Sequence, residues 1–106
     1  MIEVKEQNDT YYFIVKAESG HILLNSVPFS NKEELKQSIR DLNASKNVLN
    51  VFERKTNHEG KFLFNLKNTE GKLVGSSALY YSEAGMENGI KNFKARITLL
   101  ASHGAL

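Results

Sequence analysis

Lysine and serine recur in this chain at one fixed interval: Lys16 with Lys67, and Ser26 with Ser77, each stand 51 positions apart. Two lysines related in this way could make matched contacts to an anion. A serine hydroxyl could act as a nucleophile if a base stood beside it. No such base is recognisable. His21 and His58 fall next to or within turns and His103 lies near the end of the chain, and none is spaced one helical turn from a second ligand type. The aspartates are Asp9, in a turn, and Asp41, on a helix, while Glu33-Glu34 and Glu83 stand where helix starts favour acidic side chains. The patterns G-x-G-x-x-G, P-loop and G-x-S-x-G do not occur, and the absence of cysteine removes disulfides, thiolate nucleophiles, zinc ribbons and iron–sulfur clusters together. The sequence therefore offers no catalytic, cofactor-binding or metal-binding residue. The recurring groups also have a structural reading: each lysine lays its stem on a sheet beside a turn, and each serine is satisfied by nearby backbone at a strand end.

The elements that carry these residues follow from the same interval. Gly60 to Lys94 lies without a gap on Asp9 to Asn43. Tyr11 to Val15 is an unbroken apolar run that hides which side faces a core. Its counterpart resolves this, because Phe62, Phe64 and Leu66 alternate with Leu63, Asn65 and Lys67. The buried set is then Tyr11, Phe13 and Val15 in the first copy. The opposite face presents Tyr12, Ile14, Lys16, Leu63, Asn65 and Lys67, joined by Arg54. Gln7-Asn8-Asp9 reads as a turn, and Gly20 and Gly71 close two more, where a residue free of the Cβ penalty at positive φ is needed. Ile22-Leu23-Leu24 and Leu73-Val74 return as strands.

A helix follows in each copy. Asn31 with Glu34 forms a capping-box pattern ahead of Leu35, Ile39 and Leu42, and Ser82 caps a second helix whose stripe is Met86, Ile90 and Phe93. Gly85 and Gly89 sit inside that second helix at a cost of roughly 1 kcal/mol each relative to alanine, which points to a close approach of helix and sheet. Val48-Leu49 and Leu99-Leu100 are expected as closing strands. The fold class that results is α+β: two tandem β3-α-β repeats share one mainly antiparallel sheet about a pseudo-two-fold, with both helices on one face. The divisions are repeat one at 1–50, repeat two at 51–101 and a tail at 102–106, all in a single domain.

The 106 residues are enough for one core but leave each half marginal alone. No apolar run reaches the roughly 20 residues a membrane helix needs, and the stretch MIEVKEQND lacks the basic and apolar regions of a leader. A cytoplasmic location is expected. The net charge of +2 is unevenly spread: residues 1 to 51 carry six Lys/Arg against seven Asp/Glu, and residues 52 to 106 eight against five. That asymmetry falls short of the basic stripe of a dedicated nucleic-acid binder.

The blocks FERKTNHEGKFLFNLKNTEGKLVGSS and ALYYSEAGMENGIKNFK resemble the second repeat of the YegP-like family, small bacterial proteins of uncharacterised function. The resemblance rests on Leu66-Lys67, Gly71, Ser77 with Tyr80, and Asn88-Gly89-Ile90. The first copy departs from it, with Gln37-Ser38-Ile39 in the helix, Asp9 in place of Gly60 and Pro28 in the connector. The resemblance implies tandem β3-α-β units, or paired subunits, sharing one sheet with exchanged C-terminal strands. It implies no activity, cofactor or catalytic residue.

On these grounds the leading expectation is a non-enzymatic binding module that contacts another protein through its exposed sheet face or an edge strand. The candidate residues are Tyr12, Ile14, Lys16, Arg54, Leu63, Asn65 and Lys67. The alternative is weak binding of RNA or single-stranded DNA, and an enzyme with an unrecognised site is third. A monomer is expected, with a homodimer through sheet edges as the other state, and no cofactor or membrane partner.

Overall fold

A computed structural model describes residues 2–44, 51–68 and 70–102. Its elements run β1 (Ile2–Gln7), β2 (Thr10–Lys16), β3 (Ile22–Ser26), α1 (Lys32–Ala44), β4 (Val51–Thr56), β5 (Phe62–Lys67), β6 (Leu73–Ser76) and α2 (Glu83–Ser102). The six strands form one sheet in the order β1-β2-β3-β6-β5-β4, every pairing antiparallel. β1 and β4 are its edges.

Local chemistry sets the turns. Asn8 and Asp9 take φ of 51° and 63° between β1 and β2, the left-handed pair that a two-residue hairpin requires and that Asn and Asp tolerate. Between β5 and β6, the Asn68 side-chain oxygen accepts hydrogen bonds from the backbone N–H of Glu70 (2.9 Å) and Lys72 (3.0 Å). Gly71 then closes that turn at φ 80°, as the sequence reading requires.

The apolar run of β3 does not alternate, and the pairing shows why. Val15 faces Leu24 but Lys16 faces Ile22, which leaves Leu23 as the extra residue of a β-bulge. Leu23 and Leu24 are consequently both buried. The same step occurs where Leu66 faces Gly75 and Lys67 faces Leu73, leaving Val74 extra and buried.

β3 and β6 join the two hairpins through the pairs Asn25↔Ser76 and Ser26↔Gly75, with the Val27 N–H donating to the Val74 carbonyl at 2.9 Å. The seam is tight: a Cβ on Gly75 would stand 2.5 Å from the backbone oxygen of Asn25 and 3.0 Å from the Cα of Ser26.

One core lies against the sheet. Phe13, Val15, Leu24, Phe64 and Leu66 supply it from the strands, Leu35 and Leu42 from α1, and Met86, Ile90, Phe93 and Ile97 from α2. Tyr11 and Phe62 are partly buried against it, so the inward set expected from the alternation is the observed one. Phe64 is edge-on to Phe52 at 5.6 Å, and Phe52 in turn to Phe93 at 6.0 Å. Both caps form as the spacing predicts. The Asn31 oxygen accepts from the Glu34 N–H at 2.8 Å, and the Ser82 hydroxyl oxygen accepts from the Gly85 N–H at 2.9 Å.

One expected element is replaced. Leu99-Leu100 does not form a closing strand but continues α2, which runs 20 residues to Ser102. The stripe Met86, Ile90, Phe93 gains Ile97 at the next helical position, so the pattern keeps its 3.6-residue period up to the residues expected as a strand. Arg96 fixes that last stretch, its Nε donating to the Lys16 carbonyl at 3.1 Å and so tying the end of α2 to β2. The corresponding Val48-Leu49 lies outside the described residues.

Candidate functional site

Among the described residues both helices lie on the core side, and the other sheet face is open. A single row of side chains crosses it from edge to edge, because the registers link Glu3↔Ile14↔Asn25↔Ser76↔Asn65↔Glu53. The row is polar toward β4. The Ser76 hydroxyl donates to the Asn65 oxygen at 2.6 Å, and the Asn65 amide donates to Glu53 at 3.3 Å. Lys16 reaches Glu3 at 2.8 Å and Lys67 reaches Glu53 at 3.1 Å. Beside these pairs stand Ile22 and Leu73, each opposite one of the two lysines and exposed at 36% and 41%.

Six of the seven expected residues belong to this face by register: Tyr12, Ile14, Lys16, Leu63, Asn65 and Lys67. Ile14 is nevertheless only 9% exposed. It sits on the second strand with Glu3 and Asn25 across from it and Tyr12 and Lys16 along its own strand, and side chains of that length screen a central position. It is a packing residue of the face more than a contact surface.

Arg54 is a correction. It pairs opposite Phe64, on the core side, and at the sheet edge its guanidinium grips the Glu87 carboxylate on α2 through Nε and Nη2. Alternation along β4 carries the reason: Phe52 is partly buried against the core, so Arg54 two residues on shares its side, and Glu53 and Lys55 face out.

The glutamates that partner the recurring lysines, Glu3 and Glu53, do not stand out at the 51-residue interval. Glu3-Val4-Lys5 and Glu53-Arg54-Lys55 repeat at an interval of 50, not 51. The turn after β4 is one residue longer than that after β1, since Glu6 faces Tyr11 whereas Thr56 faces Phe62. A gapless offset therefore set the two Glu-x-Lys pieces out of step.

The recurring serines hold the sheet. Ser26 Oγ accepts from the Phe13 N–H at 2.9 Å and donates to the Val27 carbonyl at 2.8 Å. Ser77 Oγ accepts from the Phe64 N–H at 3.0 Å and donates to the Ala78 carbonyl at 2.7 Å. Each hydroxyl supplies the bond that the strand ladder would have made. Ser77→Ala should leave a buried N–H without a partner and cost about 1–3 kcal/mol. Urea denaturation reads this, and a loss below about 0.5 kcal/mol would show that the hydroxyl is dispensable.

With this geometry in hand, comparison with known proteins places the chain. The UPF0339 protein YegP of Escherichia coli strain K12 is 31% identical over 94 residues, which span 89% of this chain and 86% of that protein. The chain belongs to the UPF0339 (YegP) family. A UPF0339 protein of Pseudomonas aeruginosa is 33% identical over 90 residues, 85% of this chain and 82% of its own length. A family model described as a domain of unknown function, DUF1508, matches residues 57–97, the stretch whose motifs carry the resemblance. The solution structure of yegP from E. coli superposes with a TM-score of 0.81 at 30% identity, covering 92% of this chain and 84% of that one. A UPF0339 protein from Shewanella oneidensis superposes at 0.80 with 24% identity, which speaks for the fold alone. The names and descriptions of these UPF0339 relatives carry no activity.

Electrostatics on this UPF0339 sheet are local. The hydrogen bond from Lys16 holds the Glu3 carboxyl below the usual glutamate range, those from Lys67 and then Asn65 do the same for Glu53, and that from Arg54 does so for Glu87. A carboxyl whose pKa is lower in the folded chain than in the unfolded one stabilises the fold above the unfolded value, and that contribution disappears as pH falls through the folded value. The urea midpoint should therefore drop as pH is lowered below about 4.3, the ordinary glutamate pKa. Because the pairs are solvent-exposed, the drop should shrink in about 1 M salt, where charges are screened within about 3 Å. A midpoint indifferent to both acid and salt would contradict the assignment.

Proposed function

We propose that this UPF0339 chain is a non-enzymatic binding module, built of two tandem units about a pseudo-two-fold, whose open sheet face docks against another protein. The observation that carries it is the exposed pair Ile22 and Leu73 on a face that no described helix covers, set among Lys5, Lys16, Lys55 and Lys67. Lys5 and Lys16 are paired with Glu3, and Lys55 and Lys67 with Glu53, so the apolar side chains are ringed by ion pairs, which suits a protein surface with an apolar centre and a polar rim. Tyr12 is the one aromatic in the candidate set, and Phe13, Phe62 and Phe64 face the core, which disfavours base stacking.

The tandem arrangement has its own support. Asn25 pairs with Ser76, the position 51 residues on, and a two-fold axis through an antiparallel seam must pair a position with its own counterpart. The Ser26 and Ser77 bonds and the Glu3–Lys16 and Glu53–Lys67 pairs recur on either side of it. Each unit covers one edge of the other, which favours a monomer. The same contacts support the non-enzymatic reading, since both candidate hydroxyls are engaged with backbone.

The test is capture from native lysate, with crosslinking, by the unaltered chain and by a chain carrying Ile22→Glu and Leu73→Glu. A partner should be retained by the first and lost from the second. Recovery of the same proteins by both, or of none, defeats the proposal. An oligonucleotide titration at low salt, where electrostatic binding is strongest, should leave the amide resonances of the open face unmoved.

A further inference from the structure

A concave surface lies on the α2 side of the sheet and shares Ile22 with the open face. The β2–β3 turn, the connector after β6 and the first half of α2 enclose a cleft of about 370 Å³, within the size range of small-molecule sites. Gly85 and Gly89 line it from the helix. A Cβ on the second glycine would collide with the tip of the Tyr80 ring where it now stands. The first has more room: the near neighbour of its Cβ would be the Ser82 hydroxyl at 3.1 Å, with Tyr80 carbons at 3.8 Å. Glycine weakens a helix interior, and what Gly85 provides in return is open space above the Tyr80 ring.

The chemistry of the lining is selective. In a chain where 25% of residues are charged, none of the residues around this cleft is Lys, Arg, Asp or Glu. Asn88 and Asn92 stand one helical turn apart on its wall, each offering an acceptor oxygen and a donor amide. Ile22, Leu23, Ala78 and Leu79 make the apolar side. The Tyr80 hydroxyl is hydrogen-bonded to no described residue, and burial raises its pKa, so it stays a protonated donor. At the positions 51 residues earlier, α1 carries Glu34, Gln37, Ser38 and Asp41 in place of Gly85, Asn88, Gly89 and Asn92. The glycines and the neutral pair of asparagines are thus particular to α2.

We propose that this cleft binds a small, uncharged ligand with a planar amide edge, such as a lactam ring or a primary carboxamide. Two carboxamides one turn apart answer an edge that both donates and accepts, while Tyr80 donates to its carbonyl and the apolar side receives the ring face. The lining offers no Lys, Arg, Asp or Glu to pair with a full charge, and His21 is its one titratable side chain besides Tyr80. The site meets the open face at Ile22, so Ile22→Glu touches both, whereas Asn88 and Asn92 on α2 belong to the cleft alone.

The experiment is an amide-resonance titration of the full chain with nicotinamide and uracil, and with nicotinate and orotate as their anionic congeners. The neutral pair should shift the side-chain amides of Asn88 and Asn92 and the backbone of Gly85 and Gly89, with millimolar affinity. The acids should bind at least tenfold more weakly. In a chain carrying Asn88→Ala and Asn92→Ala, both exposed positions that leave the core untouched, the neutral probes should also lose at least tenfold. No shift at millimolar probe, equal shifts with acids and amides, shifts centred elsewhere, or undiminished binding by that variant would each overturn the assignment.

Discussion

Phe64→Ala is expected to remove about 3–5 kcal/mol of stability, the usual loss when a buried phenylalanine is truncated and the cavity stays open. The side chain is fully buried and holds an aromatic chain running from β5 through Phe52 on the edge strand to Phe93 on α2. Its loss therefore loosens an edge strand and a helix together. Against a total of about 5–15 kcal/mol for a domain of this size, the variant should sit close to its unfolding midpoint at moderate temperature. Leu63→Ala, one residue away on the opposite face, should cost less than about 1 kcal/mol. Ile14→Ala should fall between the two, because that side chain is screened by its neighbours although it stands on the open face. Calorimetric midpoints for the three variants give the ranking. Equal losses at Phe64 and Leu63 would mean that the face assignment is wrong or that both faces are covered.

The second large effect belongs to the seam. Gly75→Ala places a methyl 2.5 Å from the Asn25 carbonyl oxygen and 3.1 Å from its carbon. These are backbone atoms of the facing strand, which cannot rotate away as a side chain tip can. Overpacking of this kind costs about 1–3 kcal/mol, and the upper end is expected here. For about 100 residues each kcal/mol lowers Tm by roughly 4–8 °C. Among the described residues the strands of the two hairpins meet at Asn25↔Ser76, Ser26↔Gly75 and the adjoining Val27–Val74 hydrogen bond, so Gly75→Val should go further and make the halves melt separately. Coincident melting of both halves in that variant, followed at β2 and β5 amides, would show that α2 and the core hold the domain together without the seam.

How far the sequence reveals this molecule depends on whether a pattern was local. The inward set of β5 reads directly from Phe62, Phe64 and Leu66, and it in turn decodes Tyr11 to Val15, which alone is ambiguous. Asn31 and Ser82 announce helix starts because a cap is a matter of a few adjacent residues. Where partners lie across the sheet, the reading fails for definite reasons. The lysines were visible, but their glutamates were hidden by the extra residue in the β4–β5 turn. Leu99-Leu100 looks like a short apolar strand, yet it lies on a helix already in progress, and length decides between the two. The bulges at Leu23 and Val74 disguise a second core residue as an alternation error. The cleft beside Tyr80 needs three separated segments to exist at all. Only Gly85 and Gly89 hint at it, and in the sequence alone they point to a close approach of helix and sheet.

The central claim is that the open face is where this UPF0339 chain meets its partner, and site-specific photocrosslinking in living cells tests it most directly. A photoreactive side chain at Leu63 or Leu73, on the open face, should give a discrete protein adduct. One at Lys91, exposed on α2, should not. An adduct formed from Lys91 and absent from both face positions would contradict the account.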